Sequence, residues 1–153
     1  MRDNDPIRAV IHSTVLNQDG KTQGITSPCI EAQKRLICAA YEQAGLDPQD
    51  TDYVECHGTG TTVGDPIETQ AIGCTIGKSR ERGIGKPVWI GSVKPNIGHL
   101  ESASGLAGVI KAVLVLEKGY IPPNINYQFP NNDIQLKEWN LKVGGQPFFF
   151  FLD

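Results

Sequence analysis

The sequence has no long apolar run and no excess of basic residues. Its 153 residues carry 14 basic and 17 acidic side chains, which gives a net charge of −3. The longest nearly apolar stretch, from Leu106 to Leu116, is interrupted by Lys111 and is too short to span a bilayer. Residues 1–6 lack the apolar core of a signal peptide. We therefore expect a cytoplasmic protein that neither spans a membrane nor binds nucleic acid.

Motifs for metal and nucleotide binding are also missing. The four cysteines are widely spaced and form no CxxC pair: Cys29, Cys38, Cys56 and Cys74. Reduced thiols and no metal site are therefore expected. The triplet Gly58-Thr59-Gly60 is too short for a dinucleotide-binding fingerprint, and no phosphate-binding GKS or GKT occurs, so nucleotide binding is not expected.

Strands and helices alternate three times along the chain. Strands are predicted where β-branched and apolar residues cluster, at residues 7–15, 53–57 and 88–93. Helices are predicted to open at Ser27-Pro28 and at Asp65-Pro66, and to cover residues 102–118. This order predicts an α/β domain with a mostly parallel sheet.

Local signals predict how several elements end and pack. Gly45 is predicted to end the first helix, and Glu68 is placed for a capping box at the start of the second. The third helix is apolar on most of its circumference, so we expect it to be buried on more than one side. Its Gly105 and Gly108 would let another element approach closely. The charged stretch 78–86 is predicted to be a surface loop.

Two histidines are predicted at the same edge of the sheet. His57 ends the second predicted strand, and His99 ends the loop after the third, where parallel α/β sheets bind ligands. A neutral histidine near a helix N-terminus can donate an N–H to a developing enolate. Lys94 adds positive charge, and Thr59 and Thr61 offer hydroxyls beside glycines. The alternative, that these side chains only satisfy local backbone groups or water, stays open.

The residues around both histidines resemble motifs of β-ketoacyl synthase domains. HGTGT at 57–61, followed by GDPIE at 64–68, is similar to the first histidine motif, and KPNIGH at 94–99 is similar to the second. NQDG at 17–20 and IPPN at 121–124 resemble the modular and fungal polyketide synthase type. The similarity runs from about residue 5 to residue 143 in the family's order.

The resemblance implies a thiolase-like fold, layered α/β/α with a mixed, mostly parallel sheet, of which residues 1–143 form the C-terminal half. It implies a decarboxylative Claisen condensation that joins acyl and malonyl thioesters. The implied partners are the N-terminal half of the ketosynthase, which holds the nucleophilic cysteine, an acyl carrier protein, and a second copy in a homodimer. No cofactor is expected to bind directly, because the carrier's phosphopantetheine holds the substrate.

The resemblance also implies roles for individual residues. His57 and His99 would be catalytic, serving malonyl decarboxylation and stabilising the enolate and thioester oxygens, with Lys94 as the family's lysine near the second histidine. The residues implied to contact the phosphopantetheine arm are Thr59, Thr61 and Asn96.

Two departures from the family pattern shape the expected activity. No cysteine here lies among small residues at a helix start, as the family's nucleophile does, so we expect this chain alone to be inactive. Half of a thiolase-like domain would expose the apolar faces that normally meet the other half, so we also expect the chain alone to be poorly soluble. Residues 144–153, with four consecutive phenylalanines, are interpreted as an aberrant or truncated tail.

Two other functions remain open. One is a non-catalytic scaffold that binds a carrier or another partner. The other is a hydrolase that pairs Cys56 or Cys38 with His57, although strand neighbours such as Cys56 and His57 are expected to point into different pockets.

Overall fold

The computed structural model describes residues 5–20, 28–78, 86–145 and 148–149. The helices are α1 Ile30–Ala44, α2 Gly64–Ile72, α3 Lys94–Ile97 and α4 Ser104–Lys118. The strands are β1 Tyr53–Glu55, β2 Val88–Gly91, β3 Tyr120–Ile121, β4 Leu141–Val143 and β5 Phe148–Phe149. Short 3-10 turns cover Pro48–Asp50 and Glu101–Ala103, and a π-helical turn, Gly73–Gly77, continues α2. Among the described residues, no helix is both long and apolar enough to cross a bilayer.

The central sheet is parallel, as the order of strands and helices predicts. Its strand order is β1-β2-β4, with Val54 opposite Ile90 and Ile90 opposite Val143. The pair of β3 and β5 is antiparallel. The sequence did not predict β4, which is only three residues long and gives little periodic signal.

The first helix ends as the sequence predicts. Gly45 adopts a left-handed conformation with φ 66°, which glycine accepts without steric cost. The helix begins at Ile30, later than expected, and Cys29 at its N-terminus makes no side-chain cap. The expected cap Ser27 lies outside the described residues, as do residues 79–85 of the predicted surface loop.

The apolar core lies between the sheet and helices α1 and α2. Its buried members include Ile72, Val88, Ile90 and Trp139. Gly73 is required here, because a Cβ at that position would lie 2.3 Å from the Cβ of Trp139. The core therefore holds α2, and with it the loop that precedes α2, against the sheet.

The prediction of a strand at residues 7–15 was wrong. Residues 5–20, which are described and include this segment, form no strand. Ile11 and Leu16 are 72% and 97% exposed. The segment is held along α1 instead, where the Ser13 hydroxyl donates to Ala40 O (2.8 Å). A β-rich segment pairs only where a sheet edge is available to it, so propensity alone did not decide its structure.

The expectation that the last long helix is buried on more than one side was also wrong. In α4, Val115 is buried, but Leu106 and Ile110 are 68% and 60% exposed. In the part of the chain that the structure describes, it packs against β1 and β3. Gly108 does allow close approach, since a Cβ there would lie 3.3 Å from Glu55 Cγ, whereas a Cβ at Gly105 would meet nothing within 4 Å.

The predicted boundary at residue 143, between the ketosynthase half and an aberrant tail, stays a prediction. Of the expected tail, residues 146–147 and 150–153 lie outside the described residues. Phe148–Phe149 form β5, which pairs with β3.

Candidate active site

The two histidines meet at the carboxyl edge of the parallel sheet. His57 lies two residues beyond the end of β1, and His99 follows α3, which comes after β2. Their ring centroids are 5.3 Å apart, with the ring planes at 89° in an edge-to-face arrangement. Both residues are exposed in this chain. Two imidazole rings therefore face one region of the surface, close enough to contact a single small group.

The carboxylate of Glu68 holds the loop that carries His57. Its two oxygens accept the backbone N–H groups of His57 (2.6 Å) and Gly58 (2.9 Å). The predicted capping box was wrong, because the Glu68 side chain turns towards this loop. The helix begins at Gly64, and the carboxylate of Asp65 accepts from Gly60 N (3.1 and 3.2 Å). Both acids of α2 thus fix the glycine-rich loop that precedes it.

His99 is oriented by groups at the start of the following helix. The backbone N–H of Glu101 donates to His99 Nδ1 (3.0 Å), and the Ser104 hydroxyl lies 3.1 Å from the same atom. A backbone N–H can only donate, so Nδ1 is the acceptor and a neutral ring carries its proton on Nε2. The ring is thereby set to present an N–H donor away from α4.

Lys94 begins the short helix α3, where the sequence predicted a loop. It lines a cavity of about 250 Å³ together with His57. The buried Ser92 lies between the two motifs. Its hydroxyl accepts from Lys94 N (3.3 Å) and donates to His57 O (3.4 Å). Lys94 and His57 therefore line one cavity, and the backbone groups of both residues bind the same Ser92 hydroxyl.

The three residues expected to bind phosphopantetheine have different surroundings. Thr59 lines a second cavity of about 410 Å³ together with His57. The hydroxyl of Thr61 accepts from Gly64 N (3.1 Å) and lies 3.4 Å from the Thr59 hydroxyl. Asn96 is exposed on α3 and lines neither of these cavities. Thr59 thus lies beside His57, and Thr61 holds the loop through its hydrogen bond to Gly64. The phosphopantetheine role of all three residues stays a prediction.

Cys56 and His57 both line the 250 Å³ cavity, so the expectation that they lie in different pockets was wrong. Their side chains still differ in burial, as strand alternation predicts, because Cys56 lies in the core and His57 is exposed. The thiol of Cys56 lies 3.8 Å from Val54 O. Burial, with smaller contributions from two nearby carboxylates, raises the pKa of the Cys56 thiol well above its usual value. A raised pKa disfavours the thiolate, so the environment of Cys56 does not support the hydrolase.

Four polar residues that the sequence reasoning did not assign to the site shape it: Glu55, Glu68, Ser92 and Lys111. Glu55 and Lys111 form a 2.8 Å ion pair, and their side chains are only 11% and 12% exposed. The sequence shows both charges: Glu55 lies in a predicted strand, and Lys111 interrupts the apolar stretch of a predicted helix. Buried charges require partners, so the two could have been matched.

The family of the chain follows from comparison with known proteins. Residues 8–128 match the family model described as "Beta-ketoacyl synthase, C-terminal domain". The chain therefore belongs to the β-ketoacyl synthase C-terminal domain family. It is a C-terminal ketosynthase segment of the type I polyketide synthase kind.

Fungal polyketide synthases are among the similar curated proteins. The chain is 58% identical over 143 residues to the highly reducing polyketide synthase easB of Emericella nidulans, covering 94% of this chain and 6% of that protein. It is 58% identical over 139 residues to a highly reducing polyketide synthase of Aspergillus terreus, covering 91% of this chain and 5% of that protein. The chain thus spans about a twentieth of the length of these relatives.

Solved ketosynthases share the fold. The ketosynthase from module 6 of the bacillaene synthase of Bacillus subtilis 168 is 38% identical with a TM-score of 0.90, over 99% of this chain and 27% of that one. An oxazolomycin ketosynthase domain from Streptomyces albus is 34% identical with a TM-score of 0.89, over 97% of this chain and 26% of that one. The fold is therefore the thiolase-like α/β fold of ketosynthases, as the sequence predicts.

Proposed function

We propose that this chain supplies the histidine-bearing half of a polyketide synthase ketosynthase active site. The observation that carries the proposal is the 5.3 Å approach of the His57 and His99 rings at the carboxyl edge of the sheet. The loops of both rings are fixed by hydrogen bonds. The second half of the site, a cysteine thiol, comes from the N-terminal half of the ketosynthase.

The reaction is a decarboxylative Claisen condensation. An acyl group is first held on the cysteine as a thioester. The bond between the malonyl α-carbon and its carboxylate then breaks, CO2 leaves, and the electron pair forms an enolate. The enolate carbon attacks the acyl carbonyl, and the bond to the cysteine sulfur breaks. The β-ketoacyl thioester stays on the carrier, and the cysteine thiolate takes up a proton.

The histidines stabilise the negative charge that appears during this reaction. In this proposal, the Nε2–H of His99 and a ring N–H of His57 donate hydrogen bonds to the thioester oxygen as the enolate forms. Fixed donors of this kind lower the barrier because they need no reorganisation during the reaction. Lys94 adds positive charge in the cavity beside His57.

The substrates arrive on the phosphopantetheine arm of an acyl carrier protein. We assign contacts with this arm to Thr59, Thr61 and Asn96. Thr59 borders the cavity beside His57 and is the best placed of the three. The working unit we propose is a homodimer of complete ketosynthases.

Histidine variants in a complete ketosynthase that carries this chain test the assignment. His57→Ala and His99→Ala should each lower CO2 release from a malonyl thioester by about 10²- to 10³-fold, as the loss of one oxyanion donor does elsewhere. Glu31→Ala is the control, because Glu31 is exposed on α1 and has no role in the proposed site, and it should leave the rate unchanged. Undiminished CO2 release in both active-site variants would refute the assigned roles.

Activity of the isolated chain is the second test. Without the cysteine half, the 153-residue chain mixed with acyl and malonyl thioesters should form no condensation product. Turnover by the chain alone would contradict the proposal. If the complete ketosynthase is also inactive but still binds carrier protein, the scaffold function is favoured instead.

A further inference from the structure

A buried ion pair joins α4 to the end of β1 and takes no direct part in the proposed reaction. Lys111 Nζ is 2.8 Å from Glu55 Oε2, and the Tyr53 hydroxyl donates to the same carboxylate. Removing two charges from water is costly, so such pairs contribute little net stability compared with apolar residues. A role of the pair in fixing the relative positions of the elements around it is therefore worth testing.

The carboxylate of Glu55 joins the ends of the two neighbouring strands. Its Oε1 accepts the backbone N–H of Val93 at 2.6 Å, and Val93 directly precedes Lys94. Glu55 is also the last residue of β1, two residues before His57. One side chain thus links the backbone that leads to His57 with the backbone that leads to Lys94.

The partner Lys111 extends this link to the helix that orients His99. Ser104 contacts His99 Nδ1 and lies seven residues before Lys111, which is two helical turns along the same face of α4. Between them, Gly108 leaves room for Glu55, since a Cβ there would lie 3.3 Å from Glu55 Cγ. The ion pair therefore holds α4 against β1, two helical turns along α4 from the residue that contacts His99.

We propose that Glu55 and Lys111 are positioning residues that fix His57, Lys94 and His99 relative to one another. The segments that carry His57 and Lys94 are tied to Glu55 directly, and α4, which orients His99, is tied to it through Lys111. The relevance of this to catalysis rests on the proposed ketosynthase function, whereas the positioning itself can be measured without it.

Two neutral double variants of a complete ketosynthase carrying this chain separate the positioning contact from the charge. E55Q/K111M removes both charges but keeps an acceptor oxygen for the Val93 N–H. E55M/K111M removes both charges and the acceptor, with side chains of similar size. The control E31Q/K34M removes an exposed ion pair on α1 and should change nothing that is measured.

Hydrogen exchange followed by mass spectrometry measures the positioning. We expect the segment 92–99 to exchange about tenfold faster in E55M/K111M than in E55Q/K111M, because a hydrogen bond to its backbone is lost. Equal exchange in the two variants would overturn the proposal. If E55M/K111M does not fold, Lys111→Met decides the question. Exchange over 99–104 should then rise about fivefold, and unchanged exchange there would overturn the proposal.

CO2 release measures the consequence for the reaction. E55M/K111M should release CO2 about 10- to 100-fold more slowly than E55Q/K111M, because small displacements of reacting groups are costly. Acylation of the cysteine by an acyl thioester should stay equal in the two, which a general loss of folding would not allow. If the parent ketosynthase releases no CO2 while the exchange difference is seen, the proposed function fails and the positioning stands.

Discussion

Gly58 offers the sharpest test of how tightly the His57 loop is built. Its φ is +48°, and a Cβ at this position would lie 2.8 Å from the Cβ of the buried Ser92. Gly60, two residues further on, has a φ of +76°, but a Cβ there would meet nothing within 4 Å. Alanine at Gly60 therefore introduces backbone strain alone, whereas alanine at Gly58 introduces strain and a steric clash.

The backbone strain and the steric clash each lower the free energy of unfolding, and the two effects can be estimated separately. The left-handed backbone costs an L-residue about 1–2 kcal/mol, and overpacking of a filled site costs about 1–3 kcal/mol. Replacing glycine also stiffens the unfolded chain, which offsets about 0.4–1 kcal/mol of this cost. We therefore expect Gly60→Ala to lower the free energy of unfolding by about 1 kcal/mol and Gly58→Ala by about 2–4 kcal/mol.

Urea unfolding of the 153-residue chain in dilute solution, followed by tryptophan fluorescence, measures the difference. Trp139 is a suitable probe because it is buried in the core against Gly73. A Ser92→Gly background provides the control. Removing the side chain that clashes should bring the two alanine variants to the same stability loss.

A Gly58→Ala variant that is no more destabilised than Gly60→Ala would contradict the predicted clash with Ser92. A gap between them that persists in the Ser92→Gly background would also contradict it, because the clash would then not be the source of the gap. In a complete ketosynthase, Gly58→Ala should in addition slow CO2 release, since the shift needed to relieve the clash moves the residue next to His57.

Glu68→Gln replaces one acceptor oxygen by an amide that cannot accept a backbone N–H, so unfolding in urea should become easier by about 1.5–3 kcal/mol. Iodoacetamide should label the exposed Cys38 in the folded chain but the buried Cys56, whose pKa is raised, only after unfolding; fast labelling of Cys56 would contradict its placement. The isolated chain should self-associate in sedimentation velocity through exposed apolar residues of α4, and the double change L106K/I110K should shift it towards monomer.

The sequence predicted the parts of the site that follow from topology. Successive parallel strands end at one edge of a sheet, so His57 and His99 could be placed there from the strand-helix order alone. The end of α1 at Gly45 was equally predictable, because left-handed backbone favours glycine. These features depend on residues within a few positions of the element they define.

The misplaced elements depend on surfaces that local patterns do not describe. The segment at residues 7–15 has strand composition, yet in the described chain it lies along α1 without a strand partner. The α4 helix has an apolar surface suited to burial, yet Leu106 and Ile110 are exposed. In both cases the sequence pattern was identified correctly as apolar, and the error lay in assuming that the described part of the chain would cover it.

The positioning contacts show why the support of a site is harder to predict than its reactive groups. Glu68 acts on backbone groups 11 and 10 positions away, and Glu55 acts on a backbone N–H 38 positions away. Neither separation matches a helix or strand period, so hydrophobic patterns and capping rules could not identify these contacts. A buried charge must find a partner wherever the fold provides one. The unusual sequence positions of Glu55 and Lys111 therefore indicate that a contact exists, and only the three-dimensional structure shows that it supports the loops of His57 and Lys94.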